Sequence, residues 1–224
     1  INNLTIVTPS KWLAKLVQES FLKDYRIKVI NNGIDLSVFK PKESNFRKTY
    51  MLEEKFILLG VASVWSHRKG LDLFVQLSSK LKEDEAIVLI GLSNKQLKEM
   101  PDNIIGISRT NNVEHLAEIY SCADVFVNPT LEDNFPTTNL EALACGTPVI
   151  TFDTGGSSES VNKEAGIVVY NKDVNSLYEA ISNIKTTALS SVHCVSSAEQ
   201  FRSTERFKEY LDLYDTAILA GDKL

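Results

Sequence analysis

The sequence predicts an α/β fold, in which a doubly wound parallel sheet carries helices on both faces. Short apolar runs alternate with amphipathic stretches along most of the chain, and this alternation is typical of β-α-β units joined by right-handed crossovers. Several runs, such as 56–62 and 86–90, are almost continuously apolar. Strands of that kind are buried on both faces of their sheet, which favours a parallel arrangement.

The chain begins with a predicted strand, helix and second strand. Residues 4–8 are apolar or β-branched and predict the first strand. Ser10 is a suitable N-cap for the helix that follows, which we expect to run to about Leu22 because apolar residues recur there at helical spacing. The second strand covers 27–30, and the Asn-Asn-Gly at 31–33 ends it.

The same two periodicities assign the remaining elements. Further strands are predicted at 56–62, 86–90, 103–107, 124–128, 148–152 and 166–169. The helices between them are predicted at 71–81, 95–100, 113–121 and 137–144. From Asp173 to the end the pattern predicts helix only.

The bulk composition excludes some functions. The chain has 224 residues, 43% of them hydrophobic and 24% charged, which is enough for one sizeable core. Its net charge of -5 provides neither the basic face typical of nucleic-acid binding nor an attraction to anionic lipid. An anionic ligand must therefore be held by a few local donors.

Targeting segments and metal motifs are not apparent. No apolar run approaches the ~18 residues of a membrane-spanning helix, and the first residues lack the features of a signal peptide. Because the chain has no initiator Met, we expect it to be part of a longer protein. Cys122, Cys145 and Cys194 form no C-x-x-C pair, so we interpret them as buried free thiols in a reducing compartment.

The stretch 128–150 is the most informative for function. In open parallel sheets, ligands bind outside the carboxyl ends of the strands, and here a strand ends, a polar loop follows, and a helix begins near Pro136. Proline is well placed in a first helical turn. The N–H groups around Thr137 and Thr138 then have no partner within the helix, which makes an anion site. Asp133 lies just before this site, and Glu141 lies over a turn into the helix.

Two carboxylates beside an anion site need a ligand that donates hydrogen bonds to them. Sugar hydroxyls are such donors, so a ribose and a hexose joined by a diphosphate would use both acids and the helix start together. Each acid also has a simpler interpretation. Asp133 is alternatively a loop or cap residue, and Glu141 a solvated helix residue.

The same stretch resembles the signature of the family 4 retaining glycosyltransferases, which have the GT-B fold. That signature is an acidic residue, seven further residues, and Glu-Ala-Leu/Met-Ala-x-Gly-x-Pro-Val; here it is Asp133 followed by 141–149. The family usually has Glu where this chain has Asp133, one methylene shorter. The resemblance implies a Rossmann-like domain in which Asp133, the catalytic-site acid, meets hydroxyls of the donor hexose and Glu141 holds the ribose.

A second match covers 60–70, where the family places a Gly-Arg and then a Lys-Gly that hold the diphosphate. Lys69 matches the family's lysine, whereas Ser63 stands at its arginine position and Arg68 is a candidate replacement. Either cation is alternatively an ordinary surface residue, and we interpret His67 as a bystander. Arg109 follows the strand at 103–107, where the family places the nucleotide base. The resemblance thus implies a substrate-binding set of Lys69, Arg68, Glu141, Asn134, Phe135, Pro136, Thr137, Thr138 and Arg109.

The weaker matches imply a domain organisation. Residues 1–30 resemble the end of the amino-terminal half of a GT-B enzyme with its linker, and 31–203 resemble its donor-binding domain. Residues 204–224 resemble the helix that crosses back to the missing half. The Gly-Gly…Glu loop at 155–159 also resembles the family, although a turn and a helix cap explain it equally well.

These observations predict the donor-binding domain of a retaining glycosyltransferase that moves a hexose from a nucleoside-diphosphate sugar. The acceptor, a glycan or lipid-linked glycan, would bind through the missing half, so we expect the fragment alone to be inactive. We expect no cofactor and no metal because no Asp-x-Asp motif is apparent, and a cytoplasmic location, peripheral at the inner membrane for the full-length protein. The alternatives are a GT-B nucleotide-sugar epimerase and a non-catalytic nucleotide-sugar-binding module. The motifs of dinucleotide-dependent oxidoreductases and P-loop enzymes are missing.

Overall fold

The computed structural model, which describes residues 4–187 and 189–221, confirms the α/β doubly wound class. A small parallel sheet pairs β1 (Thr5–Thr8) with β2 (Arg26–Val29). The main sheet is parallel throughout and has the order β5-β4-β3-β6-β7-β8. Its strands are β3 (Phe56–Val61), β4 (Glu85–Ile90), β5 (Ile104–Ile107), β6 (Val125–Asn128), β7 (Val149–Phe152) and β8 (Gly166–Val169).

The helices follow the predicted positions with local differences. They are α1 (Lys11–Gln18), α2 (Phe46–Thr49), α3 (Leu71–Ser78), α4 (Asn94–Glu99), α5 (Val113–Cys122), α6 (Thr137–Ala144), α7 (Val174–Thr187), α8 (Ser191–Glu199) and α9 (Ser203–Gly221). The predicted helix to Leu22 ends early because the Ser20 hydroxyl donates to the Val17 carbonyl, 2.8 Å, and accepts from the Leu22 N–H, 3.1 Å. Such local bonds compete with helix continuation. The single turn α2 was not predicted.

Two apolar clusters cover the two faces of the main sheet. Neighbouring residues of one strand point to opposite faces, so Leu59 belongs to the cluster that includes side chains from α5, α6 and α8. Leu58 belongs to the other cluster, which includes side chains from α3 and α7. Both leucines are fully buried. This double burial is the reason that the strands are apolar throughout.

Glu159 anchors the amino-terminal segment to the main body. Its carboxylate accepts the backbone N–H groups of Lys11 and Trp12, 2.9 and 2.8 Å away, at the start of α1. The Ser10 hydroxyl accepts a third N–H, from Leu13, at 3.1 Å, as its predicted N-cap role requires. Glu159 thus caps a helix that lies far away in the sequence.

The linker after β2 pairs with the start of the last helix. Ile34 and Arg202 form an isolated parallel bridge, and the Lys28 ammonium donates to the Glu209 carbonyl at 3.5 Å. Beyond these contacts, α9 leaves a row of exposed apolar side chains at helical spacing, namely Phe207, Leu211, Tyr214 and Ile218. The predicted boundaries 1–30, 31–203 and 204–224 stay a prediction, and residues 1–3 and 222–224 lie outside the described residues.

The three cysteines are free. Cys145 and Cys194 are buried, and burial raises the pKa of their thiols to about 12 and about 11. Cys122 is half-buried, and burial raises the pKa of its thiol too. The predicted burial is thus confirmed for Cys145 and Cys194, whereas Cys122 is only half-buried.

Replacing Asp124 by alanine should lower the free energy of unfolding by about 1–3 kcal/mol. Its Oδ2 accepts both the Arg47 guanidinium and the Ile57 N–H, each at 2.6 Å, so it joins α2 to the start of β3. Removing the carboxylate leaves that N–H without a partner. Urea unfolding measures the effect, and Asp102→Ala, at an exposed loop position, is the control. Equal stabilities for the two variants would show that the Asp124 contacts contribute nothing.

Candidate functional site

The loops after β3 and β6 meet at the carboxyl edge of the main sheet. The Leu131 N–H donates to the Arg68 carbonyl at 2.8 Å, which joins the two loops directly. Gly70 has a φ of 77°, and a Cβ there would lie 2.5 Å from the Pro129 carbonyl oxygen. Only glycine allows this approach. The 3-10 helix His67–Lys69 is thereby held against the loop that contains Asp133.

An ion pair between Lys69 and Asp133 lies at this junction. The Lys69 Nζ is 2.5 Å from the Asp133 Oδ2, and the two side chains are 25% and 15% exposed. The pair is therefore shielded from bulk water but still accessible. The structure brings together the two residues for which the resemblance implied adjacent parts of one ligand.

A glycine pair supports the Asp133 backbone from the other side. The Gly156 N–H donates to the Asp133 carbonyl at 3.0 Å. Gly155 has a φ of 54°, and a Cβ there would lie 2.0 Å from the same carbonyl oxygen. The backbone of the loop after β7 thus packs directly on the backbone of the Asp133 loop, with no space between them for a side chain at Gly155.

Helix α6 begins at Thr137, as predicted, but Pro136 precedes its first turn instead of belonging to it. Pro136 is the N-cap, with φ -70° and ψ 121°, and it makes no side-chain cap. The N–H groups of Thr137 and Thr138 lie in the first turn, where a helix offers no internal acceptor. Thr137 is exposed and Thr138 half-buried, so an anion can reach this helix start.

Asn134 and Phe135, just before that helix, differ in exposure. Asn134 is exposed. The Phe135 ring is buried against Phe201, with centroids 5.5 Å apart, and the Phe135 carbonyl accepts the Asn32 amide at 2.9 Å. Because the Phe135 ring and carbonyl are already engaged, a ligand contact from this residue would use its backbone N–H.

The remaining basic side chains considered from the sequence are exposed. The exposed Arg68 donates to the Glu132 carbonyl at 3.0 Å. Arg109 is exposed, and within the described ranges it makes no side-chain hydrogen bond or ion pair. His67 is 78% exposed on its side chain and faces Asp72 at 3.1 Å. None of these three is brought into contact with the Lys69–Asp133 pair.

Glu141 is held by Tyr120, a residue of α5 that the sequence did not indicate. The Tyr120 hydroxyl donates to the Glu141 Oε2 at 2.9 Å. Burial raises the pKa of Glu141, whereas the hydrogen bonds from Tyr120 and Thr137 lower it. Tyr120 in sequence is an aromatic on the apolar face of a helix, so nothing distinguishes it from an ordinary core residue.

A buried polar network lies under the start of α6 and was also missed. Its centre is Asn139, fully buried, whose side chain accepts from Asn128 at 2.8 Å and donates to the Ser160 hydroxyl at 3.0 Å. The same amide lies 3.2 Å from the Ser157 carbonyl. The network connects α6 to the loop after β7 that supports Asp133.

Within residues 4–187 and 189–221, no three His, Cys, Asp or Glu side chains are grouped to hold a metal ion. In the same part of the chain, no helix combines the length and apolarity needed to cross a bilayer.

Comparisons with known proteins match the main sheet of this chain. A family model described as "Glycosyl transferases group 1" matches residues 55–186, more than half of the chain and the whole of the β3-to-β8 sheet. Among curated relatives, the N,N'-diacetylbacillosaminyl-diphospho-undecaprenol alpha-1,3-N-acetylgalactosaminyltransferase of Campylobacter jejuni is 27% identical over 220 residues, covering 92% of this chain and 58% of the relative. The lipopolysaccharide core biosynthesis mannosyltransferase LpsB of Rhizobium meliloti is 28% identical over 173 residues, covering 68% and 48%. The chain thus spans about half the length of the curated relatives it matches.

Solved structures show the same fold. Sucrose-phosphate synthase of Thermosynechococcus elongatus superposes with a TM-score of 0.85 at 22% identity, covering 96% of this chain and 59% of that one. HepE of Anabaena, solved in complex with UDP, superposes with a TM-score of 0.82 at 17% identity, covering 95% and 64%.

Proposed function

Because this chain belongs to the group 1 glycosyl transferases, we propose that it is the donor-binding part of a retaining GT-B glycosyltransferase. Its substrate would be a nucleoside-diphosphate hexose, and the sugar would pass to a glycan or lipid-linked acceptor held by the rest of the enzyme. The named activities of the relatives, which transfer sugars to such acceptors, support this choice. The free thiols support a cytoplasmic location.

The Lys69–Asp133 pair beside the open start of α6 carries the proposal. A diphosphate brings about two negative charges, which a lysine ammonium and helix N–H groups together neutralise. The ammonium has three donors, so Lys69 can bind a phosphate oxygen and keep its contact with Asp133. The Asp133 carboxylate then accepts hydrogen bonds from hydroxyls of the hexose next to the diphosphate.

In this mechanism the chain stabilises the departing nucleoside diphosphate. As the bond from the sugar C1 to the phosphate oxygen breaks, its electron pair goes to the diphosphate. Lys69 and the N–H groups of Thr137 and Thr138 stabilise the negative charge that develops there. The acceptor hydroxyl forms the new bond to C1 on the same face and gives up its proton to an oxygen of the departing diphosphate. Glu141 holds the ribose. Since these donors supply the neutralisation, the proposal includes no metal cofactor.

A thermal-shift screen tests the donor assignment. Purified chain is mixed with UDP-, GDP- and ADP-hexoses, with EDTA or with Mn²⁺. At a hundredfold excess over Kd, a true donor should add about 2.7 kcal/mol of stability, equally with either additive. The lack of a shift with every nucleotide sugar contradicts donor binding, and a shift that needs Mn²⁺ contradicts the metal-free form.

The products identify the reaction class. We expect this chain to release no transferred sugar, since it spans about half of its relatives. Transfer by the chain alone would refute that part of the proposal. An epimerised nucleotide sugar formed without any acceptor would favour the epimerase alternative instead.

A further inference from the structure

Tyr120 is held rigidly beneath the site. It is fully buried in α5, and its ring lies edge-on to Phe39 and Phe126, with centroids 6.4 and 5.4 Å away and interplanar angles of 70° and 72°. Its backbone carbonyl accepts the Thr147 hydroxyl at 2.5 Å. Both the ring and the backbone of Tyr120 are thus packed in the core, which constrains the position of its hydroxyl.

Within the described part of the chain, that hydroxyl makes one hydrogen bond. It donates to the Glu141 Oε2 at 2.9 Å. Burial, followed by the nearby Glu141 charge, raises the pKa of Tyr120 well above its usual value. The phenol therefore keeps its proton, and towards an ionised carboxylate it acts only as a donor.

Glu141 is the more exposed partner in this contact. Its side chain is half-buried and extends from the fifth position of α6, past the first turn. A carboxylate has about four lone-pair sites on two oxygens, so the bonds from Tyr120 and Thr137 occupy two and leave others for a ligand. The bond from Tyr120 also restricts the orientations of that group, since a hydrogen bond to a charged acceptor is stronger than one between neutral groups.

We propose that Tyr120 is a positioning residue for nucleotide recognition, whose hydroxyl orients the Glu141 carboxylate so that it accepts from the ribose hydroxyls and selects ribose over deoxyribose. This inference rests on the proposed function, which assigns the ribose to Glu141. A core residue of α5 then contributes to ligand selection, although α5 lies outside the sequence signature.

Tyr120→Phe is the test variant, because it keeps the ring and removes only the hydroxyl. Calorimetry compares UDP with 2′-deoxy-UDP and 3′-deoxy-UDP, or the guanine series if the donor screen selects GDP. We expect about tenfold weaker binding of UDP, as loss of one bond to a charged group implies. We expect little change for the deoxynucleotides and no further loss when Tyr120→Phe is added to Glu141→Ala.

The matched control is Tyr178→Phe, which removes a phenol that donates to another carboxylate, Glu85, at 3.2 Å. It should leave all affinities unchanged. An equal loss of affinity for UDP and both deoxynucleotides in Tyr120→Phe would make Tyr120 merely structural and overturn the inference. Wild-type affinity for UDP in Tyr120→Phe, in the case where Glu141→Ala binds UDP weakly, would overturn it as well. If Glu141→Ala and Lys69→Ala both bind UDP like the wild type, the proposed function fails first.

Discussion

Replacing Lys69 by alanine will weaken nucleoside-diphosphate binding by about 30- to 100-fold, the expected cost of a lost charge-assisted contact to phosphate. Two effects add. The diphosphate loses its nearest ammonium, and Asp133, whose side chain is 15% exposed, is left without its counter-charge beside an anionic ligand. Isothermal calorimetry with UDP or GDP, without a sugar, measures this directly.

The two effects can be separated in the same assay. With a plain nucleoside diphosphate there is no hexose for Asp133 to bind, so Lys69→Ala combined with Asp133→Asn should recover part of the affinity by removing the repulsion. Lys95→Ala is the control, because Lys95 is 83% exposed and its ion pair is with Glu99 on the same helix, α4. Wild-type affinity in Lys69→Ala would refute the diphosphate site.

Replacing Asn139 by alanine will lower the free energy of unfolding by about 2–4 kcal/mol, since it leaves several buried polar groups without partners at once. Asn128, Ser157 and Ser160 all lose a contact. For a chain of this size the melting temperature should fall by roughly 5–12 °C. Differential scanning calorimetry gives both quantities.

Asn183→Ala is the matched control for that change, because Asn183 is an exposed residue inside α7 and its loss should stay within about 0.5 kcal/mol. The Asn139 variant should also bind nucleotide sugars more weakly, since the loop that it anchors supports Asp133. Identical melting of the two variants would mean that the buried network adds no stability.

The sequence was sufficient for the strands of the sheet and for the loops at their carboxyl ends. Helix α6 was predicted with its observed bounds, 137–144, because Pro136 and Gly146 mark its two ends. The strands were found within one or two residues, since burial on both faces leaves a continuous apolar run. The rule that ligands bind at the carboxyl ends of parallel strands led to the loops in which Lys69 and Asp133 meet.

Contacts that depend on packing could not be predicted. Tyr120 and Asn139 have no local signal, because an aromatic on α5 and an amide on α6 acquire their roles only when the helices pack. Glu159 caps a helix 148 positions away, and no spacing in the sequence indicates such a pairing. Phe135 was included in the site by its place in the motif, but its ring belongs to the core.

The order of the strands reverses between β3 and β6, and the Lys69–Asp133 pair lies across that seam. The two residues are 64 positions apart and belong to different β-α-β halves of the domain. A chimera that exchanges residues 56–110 with a relative would therefore transplant the ammonium and the Arg109 loop while retaining both acids. Under the proposed function, the lysine's share of charge neutralisation can thus change while the N–H groups of α6 and both acids are inherited intact.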